Sequence, residues 1–542
     1  MKHAVVEHFR VHKNPEQQYS MNPFKVCKHM WVASIDLEYI IYQDFLALGL
    51  AGCNFCPHGF VGGDWAGSWT RTTTSGGSSA TLIKPISLLF SVSLSVTPLG
   101  EYYQKDATAI TTAMTLTLLL RSAGALISGL ISDKFGRRNV LVVTMAIIGA
   151  LSLATAYAKT FPQFLAVRSL YGIGMGAIFG PASSIALESL PSEARGLFSG
   201  IFQQGYAVGY LIAAVVNLGF VPGLPDNIGY RGLFYLGAGL SWAAGIIRLF
   251  VPESDTYKAA KARKKAQIEA GDYQQVSSKV YAREIFKMIK NYWVMIIYCF
   301  WIMTLFNFFS HSSQDLLPKI FETAKCRSSH DSSLLTIIGN VGAVVGGTIA
   351  GAVSQKVGRR FTMAIFAVLA GAFIPLWILP FDFNKLAAGV FFVQFGVQGA
   401  WGVIPIFLQE ASPPAYRSLF SGLTYQLGNM VSSASAQIEA RGGEDRMIVG
   451  CSGEVIEDYA TVAGIFVGVI AALIVITALA GKENLGKEIE NSKTAGEAGA
   501  GENENDEVGP MANFEKDRGL KRVGTDSIYS TEKGSITHKE TV

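Results

Sequence analysis

The second half of the sequence repeats the first. Gly129-Leu-Ile-Ser-Asp133-Lys-Phe-Gly136-Arg137-Arg138 returns as Gly351-Ala-Val-Ser-Gln355-Lys-Val-Gly358-Arg359-Arg360, 222 positions later. Glu188-x-x-Pro191-x-x-x-Arg195 returns at the same offset as Glu410-x-x-Pro413-x-x-x-Arg417. Leu197-Phe-Ser-Gly200 returns as Leu419-Phe-Ser-Gly422, again at that offset. Three matches at one offset mean two homologous halves, as in carriers whose parallel repeats rock about a central site.

What fills the halves is apolar. Half of the 542 residues are hydrophobic and only 16% are charged, below the quarter or so usual in soluble domains. Apolar runs separated by short loops are predicted to span near 108–131, 139–158, 161–186, 197–221, 231–251, 291–317, 331–354, 361–380, 386–408, 418–437 and 459–480. The fold class expected is all-α and polytopic. Its units are an irregular segment 1–79, a helix bundle 80–252, a polar central loop 253–290, a second bundle 291–480 and a disordered polar tail 481–542.

Lys134, Arg137 and Arg138, the lysines and arginine of 258–265, and Lys356, Arg359 and Arg360 lie in alternate loops. The positive-inside rule places those loops, and with them both termini, in the cytoplasm. The acidic loop before the last span, with Glu439, Glu444, Asp445, Glu454 and Asp458, is expected outside. Six scattered cysteines make no disulfide framework. A Cys326–Cys451 bridge in the outer loops stays open beside incidental thiols. Met1–Lys28 lacks the apolar core of a signal peptide. No phosphate-binding Gly-x-x-x-x-Gly-Lys-Ser/Thr loop is present. No enzymatic activity, cofactor, metal or nucleic-acid partner is expected; the lipid bilayer is.

One stretch concentrates polar groups. After the apolar run Tyr292–Phe306, Asn307, His311 and Asp315 fall at i, i+4 and i+8 of a helix, with Ser310 and Gln314 as a second row beside them. Ionisable groups inside a span are costly and mark a substrate or proton path. The other reading is a span that stops at Phe309 and leaves a wet helix end. Arg121, in Leu118-Leu-Leu-Arg121-Ser-Ala-Gly, sits mid-span, at a cost of about 2.5–3.5 kcal/mol. Its guanidinium suits a small carboxylate, taken bidentately; a structural pair with an internal acid is the alternative. Gln203, Gln204, Gln426 and Asn429 are neutral hydrogen-bonding groups, and Gln204 and Gln426 are equivalents under the repeat.

The pattern Asn307-x-x-Ser310-His311-x-Ser313-Gln314-Asp315-x-x-Pro318 resembles the signature of the fungal Jen-type monocarboxylate/proton symporters. These are a branch of the major facilitator superfamily in the sialate:proton symporter group. Lys319 stands where that family usually has Thr. The resemblance covers roughly Phe90 to Gly481. The Gly-Arg-Arg loops, with Gly129, Asp133, Gly136, Arg137, Arg138, Gly358, Arg359 and Arg360, resemble the superfamily's conformational signature and its degenerate second copy. Asp133 can pair with an arginine or with a helix N-terminus of the neighbouring bundle. Gln355 replaces the acid in the second copy, so that latch should be weaker. Glu188 and Glu410 are expected in salt bridges at the same end, with Arg195 and Arg417 or the Gly-Arg-Arg loops.

Arg168 opens Arg168-x-x-x-Gly172-x-x-x-Gly176, which resembles the superfamily's fourth-helix signature. There the arginine is often tied to proton coupling; a structural hydrogen-bonding role is the alternative. The resemblance implies two six-helix bundles and proton-coupled uptake of a short monocarboxylate, such as lactate or pyruvate, across the plasma membrane. It implies substrate contacts at Arg121, Asn307, Ser310, His311, Gln314, Gln426 and Asn429, and proton coupling by His311 and Asp315. Carrying an anion into a negative interior costs about 2.3 kcal/mol per 100 mV, and a co-transported proton cancels that charge. A carrier of another solute (a sugar acid or dicarboxylate) and a non-transporting relative remain alternatives.

The expected first span is short. The Gly/Ser/Thr run 62–79 cannot cross a bilayer without unsatisfied backbone, and Ile86–Leu99 is about two-thirds of a span. The expectation is a truncated first helix, from a wrong translation start, a retained intron or a frame error in 1–79. Otherwise Trp31–Gly52 supplies a divergent span. The tail's lysines, Lys482, Lys487 and Lys493, suit turnover by ubiquitylation machinery, and the tail from Gly481 is expected to be dispensable for transport.

Overall fold

The computed structural model of the chain describes residues 96–105, 107–188, 190–219, 229–250, 278–449 and 454–485, with isolated positions 258, 262, 265 and 269. The segment 1–79, the first span before Val96, Cys451 and the tail beyond 485 lie outside the described residues, and so do the expectations stated for them.

The described chain is helical. The first half runs through α1 (Val96–Tyr103), α2 (Ala107–Phe135), α3 (Arg137–Ala156), α4 (Phe161–Gly176), α5 (Phe179–Glu188), α6 (Arg195–Gln203), α7 (Gly205–Gly219) and α8 (Gly229–Phe250). The second half comprises α9 (Ser278–Gln314), α10 (Ser329–Val357), α11 (Arg359–Ile378), α12 (Phe383–Gly402), α13 (Ile404–Ala411), α14 (Arg417–Ser432), α15 (Ser435–Glu444) and α16 (Tyr459–Ala480). Among the described residues, nine helical stretches are long and apolar enough to cross a membrane. The starts of α2, α3, α4 and α6 recur at the starts of α10, α11, α12 and α14, each 222 positions on. An antiparallel hairpin of β1 (Met447–Val449) and β2 (Val455–Glu457) precedes α16.

The repeated loops have a local cause. Gly136 and Gly358 join consecutive helices at φ of 99° and 102°, a region where a side chain is strained. Several expected spans are interrupted. The fourth bends at Ala177, between α4 and α5, and its counterpart at Val403, between α12 and α13. Pro181 and Pro405 follow these bends and lack the N–H a continuous helix would use. The fifth bends at Gln204.

The central loop also differs from its expected extent, because α9 begins at Ser278 and runs 37 residues. Tyr281, Ile285, Met288 and Tyr292 recur at helical spacing and pack on Leu130, Ala415, Tyr416 and Leu419. Burial of that stripe holds the extra turns in helix.

Close helix packing sets the framework. A Cβ on Gly176 would lie 1.8 Å from the Arg121 carbonyl oxygen, so α4 touches the backbone of α2 there. Under the repeat, Gly124 against Ile173 matches Gly346 against Phe395, with 1.8 Å and 2.1 Å from the would-be Cβ to the carbonyl oxygen. The halves meet where α2 packs on α14 and where α10 packs on α6 and α7.

Gly176→Val should lower the thermal unfolding midpoint of the purified protein, by overpacking on the order of 1–3 kcal/mol. Gly239→Ala, which meets nothing within 4 Å, should leave it in place. Scanning fluorimetry in detergent checks both.

Candidate functional site

A cavity lies between the halves, lined by Arg121 of α2, Gln203 of α6, Tyr206 of α7, four residues of α9 or α14 (Asn307, Ser310, His311, Asn429), Gln398 and Trp401 of α12, and Tyr425 of α14. The centre of a water-sized sphere has about 20 Å³ in which to move. That is room for about one water, so any larger solute needs the cavity to widen.

The α9 stripe is buried. Asn307, Ser310, His311, Ser312, Ser313 and Gln314 are all at most 7% exposed, so the helix does not fray into water after Phe309. His311 Nδ1 lies 3.0 Å from Asp315 Oδ2, and Nε2 lies 3.1 Å from Asn429 Oδ1. Asn429 Nδ2 donates to Gln426 Oε1 at 3.2 Å, which turns the amide oxygen of Asn429 toward the imidazole. The ring therefore faces two oxygen acceptors. A neutral imidazole carries one N–H, so both contacts are hydrogen bonds only when the pair holds one further proton, on the ring or on Asp315.

Arg121 is buried, and its Nε and Nη2 have no hydrogen-bond partner among the described residues. Tyr171, Tyr206 and Tyr425 lie within its electrostatic reach, and no carboxylate pairs with it among the described residues. Such a cation has room for one anion. Arg168 is also fully buried. Its guanidinium lies 4.5 Å from the Tyr171 ring centroid, a cation–π contact, and makes no hydrogen bond among the described residues.

The structure sorts the other expected residues. Asn307, Ser310, His311, Arg121 and Asn429 line the cavity. Gln426 stands one step behind, through Asn429. Gln314 is turned to α12, where its Nε2 donates to Gln394 Oε1 at 2.8 Å, and Asp315 stands behind His311. Gln203 lines the cavity, whereas its neighbour Gln204 lies against Gly347. Lys319 points to Tyr459, 3.1 Å from its hydroxyl and 4.3 Å from the ring centroid.

Tyr206, Gln398, Trp401 and Tyr425 were not singled out from sequence. Gln398 had a signal, a second glutamine one turn after Gln394 in an apolar span. The aromatics had none, since their roles come from packing: Trp401 Nε1 donates to the Phe306 carbonyl at 3.2 Å, and Tyr425 stacks on Phe179 at 4.2 Å.

At the Gly-Arg-Arg end the halves are latched twice. Asp133 accepts from the backbone N–H of Ser418 (3.3 Å) and Leu419 (2.9 Å), at the N-terminus of α14. Gln355, its repeat equivalent, accepts from the N–H of Gly196 at 3.2 Å and donates to the Ser192 carbonyl at 2.8 Å. The second latch is present, held by an amide in place of a charge. Arg137 pairs with Glu188, and Arg359 forks onto Glu410 with both contacts at 3.0 Å. Arg417 reaches Glu188 across the halves at 3.6 Å, and Arg195 Nε donates to the Leu190 carbonyl at 3.1 Å. Arg138 donates to the Leu249 carbonyl.

The root of the tail joins this network. Arg360 donates to the Gly481 carbonyl, and Glu483 accepts from the N–H of Arg359 and Arg360 at 3.2 and 3.1 Å. Burial holds the Glu483 carboxyl above its usual range, opposed by those two backbone bonds. At the other end Cys326 is disulfide-bonded to a partner outside the described residues.

The sequence profile of the Major Facilitator Superfamily matches residues 80–436. The chain belongs to that superfamily. Among its relatives is a carboxylic acid transporter protein homolog of Saccharomyces cerevisiae, 34% identical over 70% of this chain and 63% of that protein. The chain thus aligns with less than two-thirds of that relative's length. The cis,cis-muconate transport protein of Acinetobacter baylyi is 24% identical over 60% of this chain and 77% of its own length. The structure of the proton:xylose symporter XylE superposes with a TM-score of 0.57 at 16% identity, covering 78% of this chain and 98% of that one. The protein is a multi-pass membrane protein of the major facilitator type, and its relatives include a carboxylic acid transporter homolog and a cis,cis-muconate transport protein.

Asp133→Asn keeps the shape of the first latch but removes its charge. Spin labels at Lys134 and Lys356, one on each half, should then report a distance distribution shifted to longer values. An unchanged distribution would remove Asp133 from the latch.

Proposed function

We propose that the protein carries short monocarboxylates, of the lactate and pyruvate type, into the cell together with a proton across the plasma membrane. The observation that carries this reading is the pairing, around one small cavity, of a buried guanidinium with no carboxylate partner among the described residues and a His–Asp unit able to hold one proton. Arg121 takes the carboxylate. His311, with Asp315 behind it and Asn429 before it, takes the proton. Anion and proton together cross without net charge, which removes the cost of about 2.3 kcal/mol per 100 mV against a negative interior. The carboxylic acid transporter homolog among its relatives supports the substrate class.

Arg168 has no place in the cavity lining, and its part in coupling acts through α4, which it shares with Gly176 beneath Arg121. Asn307, Ser310, Gln398 and the two tyrosines complete the solute's hydrogen bonds. By the positive-inside rule the Gly-Arg-Arg end and both termini are cytoplasmic. The latched conformation is then closed to the cytoplasm. Lysines of the tail are sites for ubiquitylation machinery.

Uptake of labelled lactate by cells expressing the chain, with and without a protonophore, tests the reading. Uptake abolished by the protonophore is expected, and uptake indifferent to it, or none, would overturn the proposal. Arg121→Lys keeps the charge and loses the fork, so half-saturation for lactate should rise about tenfold or more. His311→Asn should abolish the rise of uptake with external acidity, because asparagine keeps a polar group there but cannot take the proton. Rates across external pH, at matched surface expression, check this.

A further inference from the structure

One buried acid is unused by this account. Glu439 belongs to the stretch that composition assigns to an outer acidic loop, yet it lies within α15 at 0% exposure. Among the described residues, its Oε1 has only the Ser435 hydroxyl, 3.4 Å away, and its Oε2 has no hydrogen-bond partner. Among the described residues, the ionisable group within its electrostatic reach is Asp315, a second acid.

The surrounding charges are engaged elsewhere. On α9, Asp315 is turned to His311. On α16, Tyr459 packs against Gly443 and donates its hydroxyl to Glu457, while Lys319 sits on Tyr459 and Glu457. Arg446 pairs with Asp458 at 3.1 Å, and Arg441, on α15 itself, is exposed. Across the halves, Tyr206 and Tyr210 of α7 face Asp315. Ionised, Glu439 would be a carboxylate out of water, beside another acid and without a cation, which is the costly state. Neutral, it is an O–H donor next to the acid that orients the proton-holding imidazole.

We propose that Glu439 is a proton-binding site that exchanges its proton with the Asp315–His311 pair. This rests on the proton-coupled reading above and extends it by one group toward the end of the molecule opposite the Gly-Arg-Arg loops. The step balances simply. The carboxyl O–H of Glu439 breaks, and its proton forms an O–H bond on the Asp315 carboxylate. A proton from the solution on that side replaces it on Glu439 in the same step, so that no ionised carboxylate is left out of water.

The test uses the full-length protein purified into lipid vesicles, with Glu439→Gln, which keeps size and polarity but holds no exchangeable acid proton, and Glu439→Asp as the conservative variant. Infrared spectra at neutral pH should show the carbonyl stretch of a protonated carboxyl in the wild type, displaced in Glu439→Asp and absent in Glu439→Gln. Lactate accumulation driven by a pH gradient should fall about tenfold in Glu439→Gln, more than lactate-for-lactate exchange, which needs no net proton. Glu439→Asp should recover part of the accumulation. A band that persists in Glu439→Gln overturns the proposal, as does gradient-driven accumulation at the wild-type level. Equal loss of accumulation and exchange, unrescued by aspartate, marks a structural role and also overturns it. Wild-type vesicles that accumulate no lactate would refute the transport reading instead, and the infrared band would then decide Glu439 alone.

Discussion

A guanidinium can sit between two helix bundles only if the backbone that carries it is held rigidly, and here glycine does the holding. Gly176 of α4 rests on the carbonyl of Arg121, so close that no side chain fits between them. Gly172 does the same at Thr117, 2.3 Å from would-be Cβ to carbonyl oxygen. Long arginine side chains normally wander to reach water. With α2 pinned this way, Arg121 stays at the cavity. The same contact brings Arg168 onto the hidden face of α4, where Tyr171 covers it. The cavity, its cation and the second buried arginine all depend on that one seam. The repeat gives α10 and α12 an equivalent seam at Gly346.

Much of this framework could be read from the chain. An offset that keeps Gly136 and Gly358, Asp133 and Gln355, and Glu188 and Glu410 in step also keeps the helix starts in step, because a turn at positive φ requires glycine in both copies. The bend at Gln204 was not legible. Hydropathy sees one apolar run from 197 to 221, and nothing in composition places a turn at Gln204. The early start of α9 was hidden for a related reason. Lys279, Arg283, Lys287 and Lys290 make that segment read as a polar loop, whereas its helical stripe finds partners only in the folded molecule.

The site divides along the same line. His311, Asp315 and Asn307 announce themselves, because polar groups at helical spacing inside an apolar span are rare and have few uses. That Asn429 rather than Gln426 meets the imidazole is a matter of register between α9 and α14. Glu439 was masked by its neighbours: among glycines and acids it looks like loop, and only the packing of α15 on α9 and α16 shows it to be interior. The root of the tail carries a similar lesson. Gly481 and Glu483 close off the N-terminus of α11, which ties the root of the tail to the second half.

The two latches differ in what their rupture leaves behind. When Gln355 parts from Gly196 and Ser192, an uncharged amide is released, and it can re-form hydrogen bonds with whatever polar group is near. When Asp133 leaves the end of α14, a carboxylate loses two backbone donors beside Glu188, a second acid, with Arg137 shared between them. In a dry interface that state is prohibitive; hydrated, it is ordinary. Parting at Asp133 would therefore call for water, and parting at Gln355 for less. Two halves related by sequence symmetry thus meet through latches of unequal charge, an acid in one and a longer amide in the other.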